Sequence, residues 1–83
     1  MVRKILERAY THDDEYYYRV VRENIRKLRK KRELTQQDLA DMTDMSREYI
    51  CDIENESRGK HVTIATLGRI AEALGVEIWE LFK

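Results

Sequence analysis

The residues best equipped for chemistry in this chain are charged, and they are segregated. Positions 19 to 32 hold eight lysines and arginines (Arg19, Arg22, Arg26, Lys27, Arg29, Lys30, Lys31, Arg32) against the single acid Glu23. Positions 33 to 58 reverse the sign, with eight acids against Arg47 and Arg58. Over all 83 residues the net charge is zero. A basic run this dense serves either a polyanion or a solvated helix face. Covalent and metal chemistry find little footing. Cys51 is the only cysteine, which rules out an intrachain disulfide and a thiolate cluster for zinc. With Arg47 as its one basic neighbour in sequence, it is not expected to have a redox role. His12 and His61 lie far apart without metal-ligand spacing and read as ordinary surface or half-buried residues. There is no glycine-rich phosphate loop, and no serine or cysteine has a plausible base nearby in sequence. The chain is therefore not expected to be an enzyme or to carry a cofactor, a metal or a small-molecule ligand.

Positioning these charges falls to helices. The chain has no proline, three glycines, 39% charged and 42% hydrophobic residues, which favours an all-α domain. Val2, Ile5, Leu6, Ala9 and Tyr10 have helical spacing and predict a short amphipathic N-terminal helix. Asp13 or Asp14 can cap a longer helix over about Glu15 to Arg32, with Tyr18, Val21, Ile25 and Leu28 as its buried stripe. On that reading the basic residues fall largely on the remaining faces. Tyr16 and Tyr17 are free to pack on the N-terminal segment or on a partner subunit. Thr35, with Asp38 three residues later, starts a short helix over Gln36 to about Met42. Ser46 caps another over Arg47 to about Asn55, with Ile50 and Ile53 inward. Residues 56 to 62 read as a loop around Gly59. Thr63 caps a helix over Ile64 to Leu74, ended by Gly75. Gly68 within it predicts close approach of another backbone. A last turn over Glu77 to Phe82 carries Ile78, Trp79, Leu81 and Phe82.

Two helices of seven to nine residues around a tight turn are each too short to stand alone. They make sense as a supported pair in which the second enters a DNA major groove and the first crosses the phosphate backbone. The stretch LTQQDLADMTDMSREYICDIEN, followed by TLGRIAEALGVEIWELF, resembles the lambda-repressor/Cro-like (XRE) helix-turn-helix family over roughly residues 22 to 82. Leu34-Thr35-Gln36, Leu39-Ala40, Ser46-Arg47, Ile50, Ile53-Glu54, Ile70-Ala71 and Ala73-Leu74-Gly75-Val76 carry the likeness. Arg47-Glu48-Tyr49-Ile50 with Ile53-Glu54 and Ser57-Arg58 is also similar to the controller proteins of restriction–modification systems.

The resemblance implies a compact bundle of about five short helices over residues 20 to 83, with residues 1 to 19 as an N-terminal extension. It implies that Gln36 holds a phosphate at a helix N-terminus. Arg47, Glu48 and Asp52 would face base edges, with Arg47 bidentate to guanine and Glu48 or Asp52 accepting from a cytosine amino group. Asn55 and Arg58 become candidate phosphate contacts. Tyr49 either packs under its helix or touches the DNA backbone. Glu54 would pair with Arg29 in a structural role. Thr43 stands where the family usually has an apolar residue and Asp44 where it usually has glycine, though aspartate tolerates a left-handed turn.

The expected function is a sequence-specific DNA-binding transcriptional regulator, a repressor or controller of a short palindromic operator. The expected partners are double-stranded DNA and a second copy of the chain. Leu81 and Phe82 are expected to complete the monomer core, leaving Trp79 to the dimer interface. The competing reading is a protein-interaction module, such as an antitoxin partner, favoured by the four acids between Ser46 and Arg58, which oppose phosphate binding. No apolar run approaches the ~20 residues of a membrane span, and Met1 to Tyr10 lacks a signal-peptide core. A soluble cytoplasmic protein is expected.

Overall fold

A computed structural model describes residues 12–55 and 62–83. The N-terminal amphipathic segment, the loop glycine Gly59, Arg58 and His61 lie outside the described residues. Within them the chain is all-helical: α1 (Asp14–Lys31), α2 (Gln36–Thr43), α3 (Arg47–Glu54), α4 (Ile64–Leu74) and a C-terminal 3-10 helix (Ile78–Phe82). The long α1 lies against α3, α4 and the 3-10 helix, while α2 packs on α3 and α4.

Each α-helix starts where a side-chain oxygen takes up an orphan first-turn amide. Asp13, rather than Asp14, caps α1 by accepting from the Tyr16 N–H at 2.9 Å. Thr35 and Asp38 form a reciprocal box at α2: the Asp38 N–H donates to Thr35 Oγ1 (3.0 Å) and the Thr35 N–H to Asp38 Oδ2 (2.9 Å). Ser46 caps α3 and Thr63 caps α4 through the Tyr49 and Thr66 N–H groups. The ends of α1, α2 and α4 share one device. A residue at positive φ (Glu33 at 58°, Asp44 at 57°, Gly75 at 71°) turns the chain back. The next residue's N–H then donates to a carbonyl five positions earlier: Leu34 to Arg29, Met45 to Ala40, Val76 to Ala71. Asp44 thus replaces the usual glycine without loss of the turn. Glu33 does the same at a place the sequence marks only as a break.

The core is Val21, Ile25, Leu39, Ala40, Ile50, Ile53, Leu67, Ile70, Ala71, Leu74 and Leu81. Thr43 is buried where an apolar side chain is usual. Its hydroxyl donates to the Leu39 carbonyl (2.8 Å), with the Ala40 carbonyl also in reach (3.2 Å). A buried hydroxyl satisfied inside its own helix costs little.

Three expectations need correction. Gly68 has open space where a Cβ would sit, so no backbone approaches it. Phe82 is 53% exposed and does not close the core, whereas Leu81 is fully buried. A five-residue 3-10 segment cannot turn both side chains inward. Its carbonyls are held instead by Asn24 of α1, whose Nδ2 donates to Leu81 O (2.9 Å) and Lys83 O (3.0 Å). Finally, the basic residues of α1 do not all face solvent, because Arg22 and Arg29 are buried.

Candidate nucleic-acid interface

The eight residues of α3 divide cleanly around the helix. At 100° per residue, Ile50, Ile53 and Glu54 cluster on one side, and all three are buried. Arg47, Glu48 and Asp52 fall within an arc of ~140° on the opposite side. Arg47 and Glu48 are exposed and Asp52 is half-buried. The three residues expected to face base edges thus share one outward surface. Tyr49 lies between the two sides, half-buried and packed against the core. Cys51 is half-buried and reduced.

Behind that surface sits a fully matched ion pair. Arg29 Nε donates to Glu54 Oε2 (2.8 Å), Arg29 Nη2 to Glu54 Oε1 (3.0 Å) and Arg29 Nη1 to the Leu34 carbonyl (2.7 Å). Gln36 Nε2 adds a fourth bond, to Glu54 Oε1 (3.2 Å). The fork geometry of arginine meets the carboxylate bidentately. One cluster therefore joins α1, the turn after it, the start of α2 and the end of α3. This agrees with the structural role expected for the pair, and it also fixes the Gln36 side chain at the N-terminus of α2.

A cleft of about 410 Å³ opens beside this cluster, between α1 and the α2–α3 pair. Gln36 and Asn55 lie on its wall together with Arg19, Arg22, Arg26 and Arg29. Two of the proposed phosphate contacts, distant in sequence, are thus brought to one basic surface. Asn55 stands at the C-terminal cap of α3. The arginines occupy positions spaced 3, 4 and 3 along α1, one residue on from the apolar row Tyr18, Val21, Ile25 and Leu28. A one-residue offset is a rotation of ~100°, so the two rows are adjacent faces of one helix. Sequence reasoning missed this row because so many neighbours are also basic that no period stands out.

Charge elsewhere in the site is simple. Asp38 is held below its ordinary value of 3.8, first by the Thr35 backbone N–H and then by the Thr35 hydroxyl. Among the described residues no group of histidine, cysteine, aspartate and glutamate side chains could hold a metal ion. No described helix is long and apolar enough to cross a membrane. Trp79, on the C-terminal 3-10 helix, is 57% exposed, with the Lys83 ammonium 4.8 Å from its ring centroid. His12 stacks on Tyr16 at 3.7 Å between centroids, and Arg19 lies over the same ring at 5.7 Å.

Comparison with known proteins matches this architecture. The sequence profile of the HTH_3 helix-turn-helix family covers residues 25–81. An immunity repressor protein of Bacillus phage phi105 is 38% identical over 58 residues, which span 70% of this chain and 39% of that protein. The chain thus corresponds to well under half of that relative. A hypothetical transcription factor, NHTF, from Neisseria superposes with a TM-score of 0.76 at 26% identity, over 86% of this chain and 80% of the other. The restriction–modification controller protein C.AhdI from Aeromonas hydrophila superposes with a TM-score of 0.72 at 28% identity, over 78% and 96%. The resemblance read from the motifs therefore holds, and the chain belongs to the HTH_3, XRE-type helix-turn-helix family.

Proposed function

We propose that this protein is a sequence-specific DNA-binding transcriptional regulator, a repressor or controller, that reads a short palindromic operator through the helix starting at Arg47. The observation that carries the reading is the outward surface of α3, with Arg47 and Glu48 exposed, beside a basic cleft that holds Gln36 and Asn55. Arg47 pairs with guanine O6 and N7, and Glu48 or Asp52 accepts from a cytosine amino group. Gln36, Asn55 and Arg58 take phosphates, Gln36 with the N-terminal amides of α2. Tyr49 supports the helix from beneath. The kinship with a phage immunity repressor and a restriction–modification controller supports regulation of transcription in the cytoplasm.

One eight-residue helix reaches only a few base pairs, so two copies would bind half-sites ~34 Å apart. The exposed Trp79 is the anchor we propose for that homodimer. A sedimentation mass that stays monomeric into the high micromolar range would refute the dimer. Selection of bound sequences from random duplex DNA at controlled salt tests the main reading. It should return a palindrome with spaced half-sites, and recovery of no consensus would overturn it. The acids Glu48 and Asp52 favour one other reading, an interaction module such as an antitoxin partner. Absence of any duplex binding at low salt would select it.

A further inference from the structure

Arg22 is a buried cation without the partners that burial demands. It is 4% exposed, and its Nη2 has no hydrogen-bond partner among the described residues. Its nearest counter-charge is Glu15 Oε2 at 3.6 Å, beyond hydrogen-bond length, on a side chain 55% exposed. Seven residues along the same face, Arg29 spends its guanidinium on Glu54 and the Leu34 carbonyl. Buried guanidinium groups are normally matched in that way, since an unmatched donor forfeits its hydration for nothing. Arg22 also borders an apolar hollow walled by Tyr18, Val21, Ile53 and Leu67, which strengthens any charge interaction made there.

We infer that the cleft between α1 and the α2–α3 pair is an oxyanion site for a phosphate group, centred on Arg22 and flanked by Arg19 and Arg26. The three guanidinium groups rise along one face of α1 over ~10 Å and line the same cleft as Gln36 and Asn55. Among the described residues Glu23 is the one carboxylate on that wall without an ion-pair partner, because Glu54 is consumed by Arg29. A phosphate offers several acceptor oxygens to guanidinium donors, whereas a carboxylate offers two. The phosphate is either a DNA backbone group or part of a free phosphorylated molecule. The DNA case rests on the DNA-binding reading; the free case does not.

The test follows arginine Nε–Hε signals of the full chain by NMR, with inorganic pyrophosphate in one arm and a 20-base-pair duplex at low salt in the other. Pyrophosphate should shift Arg22 saturably and leave Arg29 in place. Arg22→Met should weaken that binding at least about tenfold, the worth of one charge-assisted hydrogen bond. If the source is DNA, Arg22→Met also lowers the slope of log affinity against log salt by about 0.9, one phosphate contact. An unchanged slope beside a clear pyrophosphate site assigns the cleft to a free phosphorylated ligand. A pyrophosphate site in a chain that ignores duplex DNA keeps the inference and refutes the DNA reading. An Arg22 signal that neither probe moves overturns the inference, even where the duplex binds elsewhere. Should Arg22→Met fail to fold, the exposed pair Arg19→Ala and Arg26→Ala serves instead, and unchanged binding of both probes by that variant overturns the site equally.

Discussion

Arg29 and Arg22 lie on one face of one helix, both buried, and they live in opposite circumstances. Arg29 meets a bidentate carboxylate and a backbone carbonyl, and the Gln36 amide donates to the same carboxylate, in one closed cluster. Arg22 has an exposed acid at 3.6 Å and an open cleft. Burial alone does not state what a charge is for. A cation bonded through all three of its nitrogens inside the protein is a joint, and its worth is geometric. A cation left with donors to spare, facing an opening, has capacity for something outside.

The largest test of that difference removes the carboxylate of the joint. Glu54→Ala strands the Arg29 charge and should cost about 3–5 kcal/mol in urea denaturation. Replacing both partners with apolar residues of similar size should recover most of that loss. A loss below about 1 kcal/mol for Glu54→Ala would put the pair on a par with surface ion pairs and erase the contrast. Arg47 extends the comparison to an arginine with no interior role. Arg47→Ala should weaken specific DNA binding by about 1–3 kcal/mol and relax one base position, with the melting temperature unmoved. An unchanged operator preference would remove Arg47 from base reading.

Glu15→Gln touches the other arginine. Because Glu15 is mostly exposed, the change should cost less than about 1 kcal/mol of stability. A cost matching that of Glu54→Ala would mean that Arg22, too, is a joint. The smallest effect concerns an exposed carboxylate that is nonetheless bonded. The Thr35 N–H and hydroxyl lower the Asp38 pKa in the folded chain, so Asp38 adds stability that is complete above 3.8. That contribution disappears as pH falls through the lower, folded value. Denaturation followed from about pH 5 to pH 2 should therefore show a shallower loss for Asp38→Asn than for the parent chain. Equal slopes would show that the capping box does not respond to the Asp38 charge.

Much of the site was legible because its signals are local. A threonine three residues before an aspartate, a serine before Arg47 and an aspartate between two short apolar periods act on backbone groups within one turn. Their effects survive whatever packs around them. The same holds for the outward arc of Arg47, Glu48 and Asp52, which follows from helical period once Ile50 and Ile53 are inside. The failures are non-local. Asn24 holding the carbonyls of residues 81 and 83 joins positions 57 and 59 apart, and no spacing rule foretells it. The family resemblance puts Phe82 inside, yet the 3-10 turn buries Leu81 and leaves Phe82 half-exposed. Gly68 invited a close contact that α4 does not make, since its facing neighbours stop short of it.

The segregated charges show both limits. The sequence by itself determined that a basic stretch precedes an acidic pair of short helices, and that caps and periods would fold each of them. It also determined that α3 would turn Arg47, Glu48 and Asp52 away from the core. Only the tertiary structure decided which of the basic side chains matter to those helices. Helical period assigns residues to faces, but a long helix touching α3, α4 and the 3-10 helix has more than one buried face. Packing chose the arginine row over the neighbouring lysines, closed Arg29 onto Glu54, and left Arg22 opening into the cleft that Gln36 and Asn55 share.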